Sequence, residues 1–416
     1  MKRIVYREWR IPPQRYWSLI GYLAALIGIG ALSFGYMEHE GHWVTGMSNS
    51  VVWGMPHVFA VFLIVSASGA LNIASIGTVF KKPIYKPLGR LSGLLAVALL
   101  VGGLLILVTD LGRPERLIVA MTHYNFSSIF AWNIYLYTGF MAIVIAYLWS
   151  MADRQGAPFN YPIGVFALIW RLALTTGTGS IFGFLVARQA YDAAILGPMF
   201  VALSLAYGLA VFMLVLFFCF EEEGRSIGPR VLRRLRNLLA LFVAVVLYFV
   251  LIYHLTNLYM AKKDAFEHWL LLGGGFYTFV FWVGWILVGN LVPLWILYHP
   301  ALSEQRNWII AACTLVILGG LAAMYVIIIG SQAFPLAMFP GHTILESGFN
   351  DGVQGAAASY WPSIPEVLLG IGGVALSLLI ILVGVRVLQF LPESLADEVV
   401  APDEEQLAEA VAVKPA

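Results

Sequence analysis

Ten stretches of this chain are apolar over about the 20 residues that a helix needs to cross a bilayer's hydrocarbon core. Lipid offers backbone amides no partners, so such stretches have to be helical. They lie near residues 17–36, 56–80, 91–109, 127–150, 163–187, 196–220, 237–259, 269–297, 308–330 and 364–390. The fifth, which holds Arg171 and Thr175-Thr-Gly-Thr-Gly-Ser180, and the long eighth are the least regular. Composition agrees: 60% of the 416 residues are hydrophobic and 11% charged, against roughly 45–50% and ~25% in soluble domains. A soluble enzyme and a nucleic-acid binder are excluded. The expected fold is all-α, a polytopic membrane protein. The formal net charge of +1 names no partner. Cys219 and Cys313 sit in apolar runs and supply neither a metal-ligand set nor a disulfide framework.

Charge on the connections orients the spans. With the N-terminus in the cytoplasm, eighteen Lys and Arg fall on that side and five on the other, with Arg171 left inside a span. That asymmetry follows the positive-inside rule and places both termini in the cytoplasm. The first run is a full span long with no A-x-A-like site after it, and reads as a retained signal-anchor helix. Three segments are expected: a cytoplasmic N-terminal segment (1–15), a transmembrane domain (16–390) and an acidic, disordered cytoplasmic tail (391–416).

Ionisable residues at membrane depth are functional candidates by default, and here they crowd the outer ends of the spans. The second span opens with Trp53-Gly-Met-Pro56-His57. The third ends with Thr109-Asp110-Leu-Gly112-Arg113-Pro-Glu115-Arg116. The fourth is preceded by His123-Tyr124-Asn125-Phe-Ser127-Ser128 and carries Trp132 and Asn133. Each has an ordinary structural explanation: a first-turn proline, a Gly-Pro helix stop, a serine N-cap, the interfacial aromatic belt. Two details favour function. Asp110 ends a helix, where the dipole disfavours a carboxylate, so it needs a partner, and Arg113 or Arg116 is the nearest. His57 lies in a first turn, where the same dipole disfavours a charged ring, leaving an imidazole that hydrogen-bonds a carbonyl and relays protons. An imidazole, a paired carboxylate and aromatic walls suit a quinone headgroup.

Other polar residues carry weaker readings. His254, Asn257, Glu267 and His268 form a second outer set, with Glu267 and His268 expected in the headgroup region. Arg171 must face the bundle interior, lining a proton route or acting as a structural pin. Ser363-Ile-Pro-Glu366 fits a capping box opening the last span. The connection of about 331–363, without Lys or Arg, suggests a lid or docking surface. No haem is expected, since His57 and His254 are the only histidines near the membrane interior. Walker, Rossmann and ferredoxin-type cysteine motifs are missing.

The Trp53-Gly-Met-Pro56 opening, Thr109-Asp-Leu-Gly-Arg-Pro-Glu-Arg116 and Asn125-Phe-Ser-Ser…Ala131-Trp132 resemble the NrfD/PsrC family, the integral-membrane quinone-reactive subunits of bacterial iron–sulfur oxidoreductases. Tyr360-Trp-Pro362 before the final span, with Arg386 and Leu391-Pro392 after it, resembles the ten-helix branch, DsrP-like first and hydrogenase-2 membrane subunit-like second. The resemblance implies two four-helix bundles, spans two to five and six to nine, flanked by the first and tenth. It implies a quinone, menaquinone or ubiquinone, at the outer end of the first bundle, with no metal or haem in this chain. The iron–sulfur clusters would sit on a periplasmic ferredoxin-like subunit, with multihaem cytochrome c and further subunits as additional partners in the inner membrane of a bacterium, in sulfur-compound metabolism. Carried over by position, His57, Asp110 and Arg113 would act on the quinone, and His57, Tyr124, Asn125, Ser128 and Trp132 would bind it. The competing readings are a secondary transporter, unwound at Thr175–Ser180 and Gly273–Gly275 near the midplane, and a passive membrane anchor of a redox complex.

Overall fold

Every one of the ten apolar runs is a helix in the computed structural model, which describes residues 4–334 and 360–400. They are α1 (Pro13–Glu40), α2 (Met55–Thr78), α3 (Pro83–Thr109), α4 (Ile129–Ala152), α5 (Ala157–Gly183), α6 (Leu196–Glu222), α7 (Pro229–Tyr259), α8 (Phe276–Tyr298), α9 (Arg306–Ala333) and α10 (Ile364–Val387). The chain is an all-α, multi-pass integral membrane protein.

Several helices start ahead of the apolar run, and two of the differences have a clear local reason. Helix α7 begins at Pro229, eight residues before the apolar run. Its first turns carry Arg230, Arg233, Arg234 and Arg236, which are good helix formers and keep their charges at the bundle end; Arg236, for instance, bonds Ser303 Oγ at 2.9 Å. The long eighth run is two pieces. A short helix, Asp264–His268, continues into a wide turn over Trp269–Gly273, and the chain then breaks before α8 at Gly275, whose φ is +55°. That conformation is open chiefly to glycine. The other glycine-rich stretch, Thr175–Ser180, stays helical within α5.

Helices α2 and α6 form the buried centre, while α1 is mostly exposed and lies along α10. The centre is tight because Gly69 of α2 and Gly208 of α6 meet backbone to backbone; a Cβ on either would enter the other chain segment. Small residues are the usual means by which helices approach closely in lipid. Around them α3 packs on α2 and α10, α4 on α5, and α9 on α6 and α8.

At the arginine-rich end, Tyr6–Arg7 (β1) pairs antiparallel with Leu391–Pro392 (β2). Trp9 is fully buried and donates its indole N–H to Cys219 O at 2.9 Å. Arg15–Glu222 and Arg306–Glu221 ion pairs span 3.1 and 3.0 Å, and Glu223 pairs with Arg7 and Arg225. Residues 391–400, expected from the sequence to begin a disordered tail, are therefore folded. Leu391, Leu395 and Val400 bury against this end, and Asp397–Val400 is a helical turn. Three apolar residues spaced through an acidic stretch decide the matter where net composition does not. Residues 401–416, the rest of the expected tail, lie outside the described residues, as does most of the expected lid, 335–359.

Candidate functional site

The segment leading into α2 is held from three sides. Gln332 at the end of α9 accepts from the N–H groups of Val52 (2.9 Å) and Trp53 (3.1 Å) and donates to Trp53 O (3.1 Å). Arg188, in the α5–α6 connection, donates to Ser50 O (2.6 Å) and Gln332 O (3.0 Å). Glu366, in the first turn of α10, accepts from Gly46 N–H at 2.8 Å and from Ser363 N–H at 2.7 Å, the latter being the acidic half of the expected capping box. Tyr360 joins them: its hydroxyl donates to Glu366 (2.8 Å) and accepts from Met55 N–H (2.6 Å), the first residue of α2. Burial and the neighbouring Glu366 charge push the Tyr360 hydroxyl far above its ordinary range, so it remains a donor.

This clasp fixes the turn that carries His57. The imidazole Nδ1 lies 2.9 Å from Asp110 Oδ2, at the end of α3. The Asp110 side chain is 1% exposed and that of His57 21%, so the ring is the accessible member. The approach is an ion-pair contact lacking hydrogen-bond alignment, and both carboxylate oxygens are buried without a hydrogen-bond partner. Buried polar atoms in that state are rare and call for a partner. Trp53 stacks on His57, with ring centroids 6.1 Å apart at 29°, and also touches Phe130, Phe182 and Tyr191.

Asp110 thus finds its partner 53 positions upstream, in His57, and not in Arg113 or Arg116, which are exposed beyond the end of α3. The chain turns away after Asp110 into a short 3-10 turn, Pro114–Arg116, taking both arginines with it. The remaining predicted residues form a neighbouring group with contacts of its own. Tyr124 packs on Phe126 (4.7 Å) and Tyr135 (5.0 Å). Asn125 is exposed and its Oδ1 accepts from Ser127 N–H (2.9 Å). Ser128 is the N-cap residue of the α4 helix without a side-chain cap bond. Trp132 is 48% exposed and donates its indole N–H to Phe126 O (2.7 Å). The ring that α4 brings to the His57 side is Phe130, which sequence reasoning does not single out. Gln332 and Arg188 escape it as well; a lone amide directly after the apolar run of α9 is the available signal.

Two further polar positions are settled in place. Arg171 is 3% exposed and donates through one guanidinium nitrogen to Asn72 Oδ1 at 2.7 Å, while its Nε and other terminal nitrogen have no partner. Glu267, expected among headgroups, is fully buried, because the Asp264–His268 turn folds inward over the end of α7; His254 and Asn257 hold it.

Fold and site together define a multi-pass membrane protein whose helices gather an imidazole–carboxylate pair at one end of the bundle. Comparison with known proteins narrows the class. The profile of the family described as "Polysulphide reductase, NrfD" matches residues 43–337, and the chain belongs to that family. It is 29% identical to the Hdr-like menaquinol oxidoreductase integral membrane subunit of Archaeoglobus fulgidus over 388 residues, 93% of this chain and 96% of that one. It is 26% identical to a putative dimethyl sulfoxide reductase membrane subunit of Halobacterium salinarum, covering 89% of this chain and 90% of that one. One of the chains of polysulfide reductase from Wolinella succinogenes is 25% identical, over 69% of this chain and 96% of its own length.

Proposed function

We propose that this chain is the quinone-reactive membrane subunit of an iron–sulfur oxidoreductase, exchanging electrons between the membrane quinone pool and a periplasmic ferredoxin-like subunit. The observation that carries the reading is the buried, hydrogen-bond-deficient Asp110 carboxylate held 2.9 Å from a partly open His57 ring. A quinol hydroxyl is a donor of the kind the carboxylate is short of, and a quinone carbonyl would accept from the imidazole N–H. The relatives' names point the same way, to menaquinol in the Archaeoglobus protein and to polysulfide in the Wolinella protein. A menaquinone-type substrate and a role in sulfur-compound metabolism follow as the finer parts of the proposal. In this reading the His57 end faces the periplasm of a bacterial inner membrane and both termini are cytoplasmic.

The residues divide the work by position. The quinone, when bound, supplies the two-electron chemistry. His57 lies in the first turn of α2 and Asp110 at the end of α3, so two helix ends bring the pair together. With Nδ1 and Oδ2 2.9 Å apart, a proton can pass between ring and carboxylate without either moving. Trp53 covers one face of the imidazole, and Gln332, Arg188, Tyr360 and Glu366 fix the turn beneath it. Arg113, Tyr124, Asn125, Ser128 and Trp132 are proposed as the outer rim, meeting the headgroup or the partner subunit. A transporter would gather its polar breaks near the midplane; of the two stretches expected to unwind, Thr175–Ser180 stays helical and the break at Gly275 lies just before α8.

The test is extraction of lipids from the purified protein, together with quinol-linked turnover of the assembled complex. Bound quinone is expected. His57→Ala is expected to lower turnover by about 10²–10⁴-fold, the range for loss of a positioned acid–base group, with assembly intact. Unchanged turnover would reduce the chain to an anchor.

A further inference from the structure

The second half of the chain holds an imidazole–carboxylate pair of its own, and its geometry differs from the first. His254 Nδ1 lies 2.6 Å from Glu267 Oε2, and Asn257 Nδ2 donates to Glu267 Oε1 at 2.8 Å. Glu267 is 0% exposed and His254 7%. Both carboxylate oxygens are engaged, so Nδ1 is committed and the ring's chemistry is left to Nε2, which is buried without a partner. Trp285 Nε1 on α8 is likewise buried without one. His254, Trp285 and Ser331 all line a cavity of about 10 Å³. That is room for one water, and a buried water needs two to four polar partners. The chemistry is complementary: Trp285 N–H only donates, the neutral Nε2 only accepts, and a single water can accept from one and donate to the other. The cavity is far too small for a quinone ring.

We propose that His254, Glu267 and one ordered water bridging His254 Nε2 and Trp285 Nε1 form a buried proton-binding site, separate from the His57 site. With neutral imidazole the pair itself carries one net negative charge, toward which the Lys263 ammonium supplies an opposite charge outside hydrogen-bond contact, and protonation of the ring places the compensating charge in direct contact. One proton passing from the cavity water to Nε2, and replaced on that water from solvent, leaves imidazolium against carboxylate with net charge zero. Nδ1–H stays on Glu267 throughout, so no heavy atom moves. The surrounding elements set the field. The Lys263 ammonium donates to Tyr191 O and Asp192 O, both at 2.7 Å. The Tyr253 hydroxyl donates to Ala190 O and the Tyr191 hydroxyl to Ile328 O. Asp192 pairs outward with Lys262 at 3.2 Å. The cavity faces supplied by α8 and α9, among them Val326, Ile327 and Ser331, bring no charge.

Acid-minus-alkaline infrared difference spectra of the full chain in lipid nanodiscs test this without quinone or partner. Among the signals of the chain's eight histidines, the wild type is expected to show one imidazole protonation component that His254→Gln removes and Glu267→Gln displaces. Trp285→Phe keeps an aromatic ring on α8 and deletes the indole N–H; it is expected to remove or shift the O–H stretch of the water that N–H holds in the wild type. A His254→Gln spectrum identical to wild type would overturn the proton site and leave a structural clasp between α7 and the Asp264–His268 turn. Should the pair variants fail to fold, Trp285→Phe decides alone: retention of every water band, unshifted, overturns the proposal.

Discussion

The clasp between the last span and the first turn of α2 yields the most demanding prediction. Glu366 accepts three hydrogen bonds, the one from Tyr360 buried and those from Gly46 and Ser363 partly so. In Glu366→Gln the amide oxygen can serve Gly46 and Ser363, which share Oε2, leaving the amide nitrogen facing the Tyr360 hydroxyl. One charge-assisted bond is lost, about 1.5–3 kcal/mol, and the other two drop to neutral strength. Tyr360→Phe removes the same bond from the other side and strips Met55 N–H of its acceptor, for about 2–4 kcal/mol in all by the same scale. Because both variants break the Tyr360–Glu366 bond, the double variant should cost little more than the worse single. The coupling energy is then about 1.5–3 kcal/mol. Reversible unfolding in mixed detergent micelles reads the cycle, and quinol-linked turnover should fall in step, since Met55 is two residues from His57. Additive costs, with the double variant equal to the sum of the singles, would refute the idea that this bond fixes the turn.

Four other outcomes follow from the same geometry. Asp110→Asn should preserve assembly and leave His57 without its ion-pair partner, with turnover falling by at least tenfold in the same assay. Arg113→Ala, at the proposed rim, should lower turnover of a soluble quinol analogue less than Asp110→Asn does, since Asp110 pairs with His57; a loss as deep as that of Asp110→Asn would restore the arginine to the pair. Asn72→Ala removes the one acceptor of a buried guanidinium and should lower stability by about 1.5–3 kcal/mol, whereas Arg171→Met should be neutral or stabilising, as buried charges replaced by apolar groups often are. Gly208→Ala drives a methyl into the backbone of Gly69 and should cost about 1–3 kcal/mol or more, as overpacking does; thermal unfolding in detergent checks both.

The spans were legible because a bilayer leaves a 20-residue apolar run one conformation, and all ten appear where the runs lie. Their ends were less legible where charge or glycine intervenes: α7 carries its helix back through four arginines, and Gly275 cuts the eighth run at a place hydropathy passes over. The His57 end could be read because helix ends concentrate polar residues there. The partners could not. Asp110 faces His57 across two helices, while Arg113, three residues on, is carried off by the turn that follows; proximity in sequence counts for little once a helix has ended. Glu267 shows the same limit from the other direction, since its burial depends on a chain reversal that leaves no periodic signal. Glu366 was legible as a cap from its spacing to Ser363, yet its contacts with Gly46 and Tyr360 come from packing alone.

The two imidazole–carboxylate pairs show how one chemical unit is set to different tasks by what satisfies the carboxylate. At Asp110 both oxygens lack hydrogen bonds and the ring is 21% open, so the deficit can be met from outside, by a molecule large enough to reach the ring and polar enough to bond. At Glu267 the two oxygens are already met by His254 and Asn257 at 2.6 and 2.8 Å, and the deficit has moved to Nε2, facing a cavity of about 10 Å³. In the proposed reading a ligand that arrives by diffusion in lipid enters the first arrangement, whereas the cavity of the second matches a single water. Under the two proposals, carboxylate saturation, more than the identity of the residues, is what separates a substrate site from a proton site. Relatives that keep the second pair but lose Asn257 should shift the deficit back to the carboxylate.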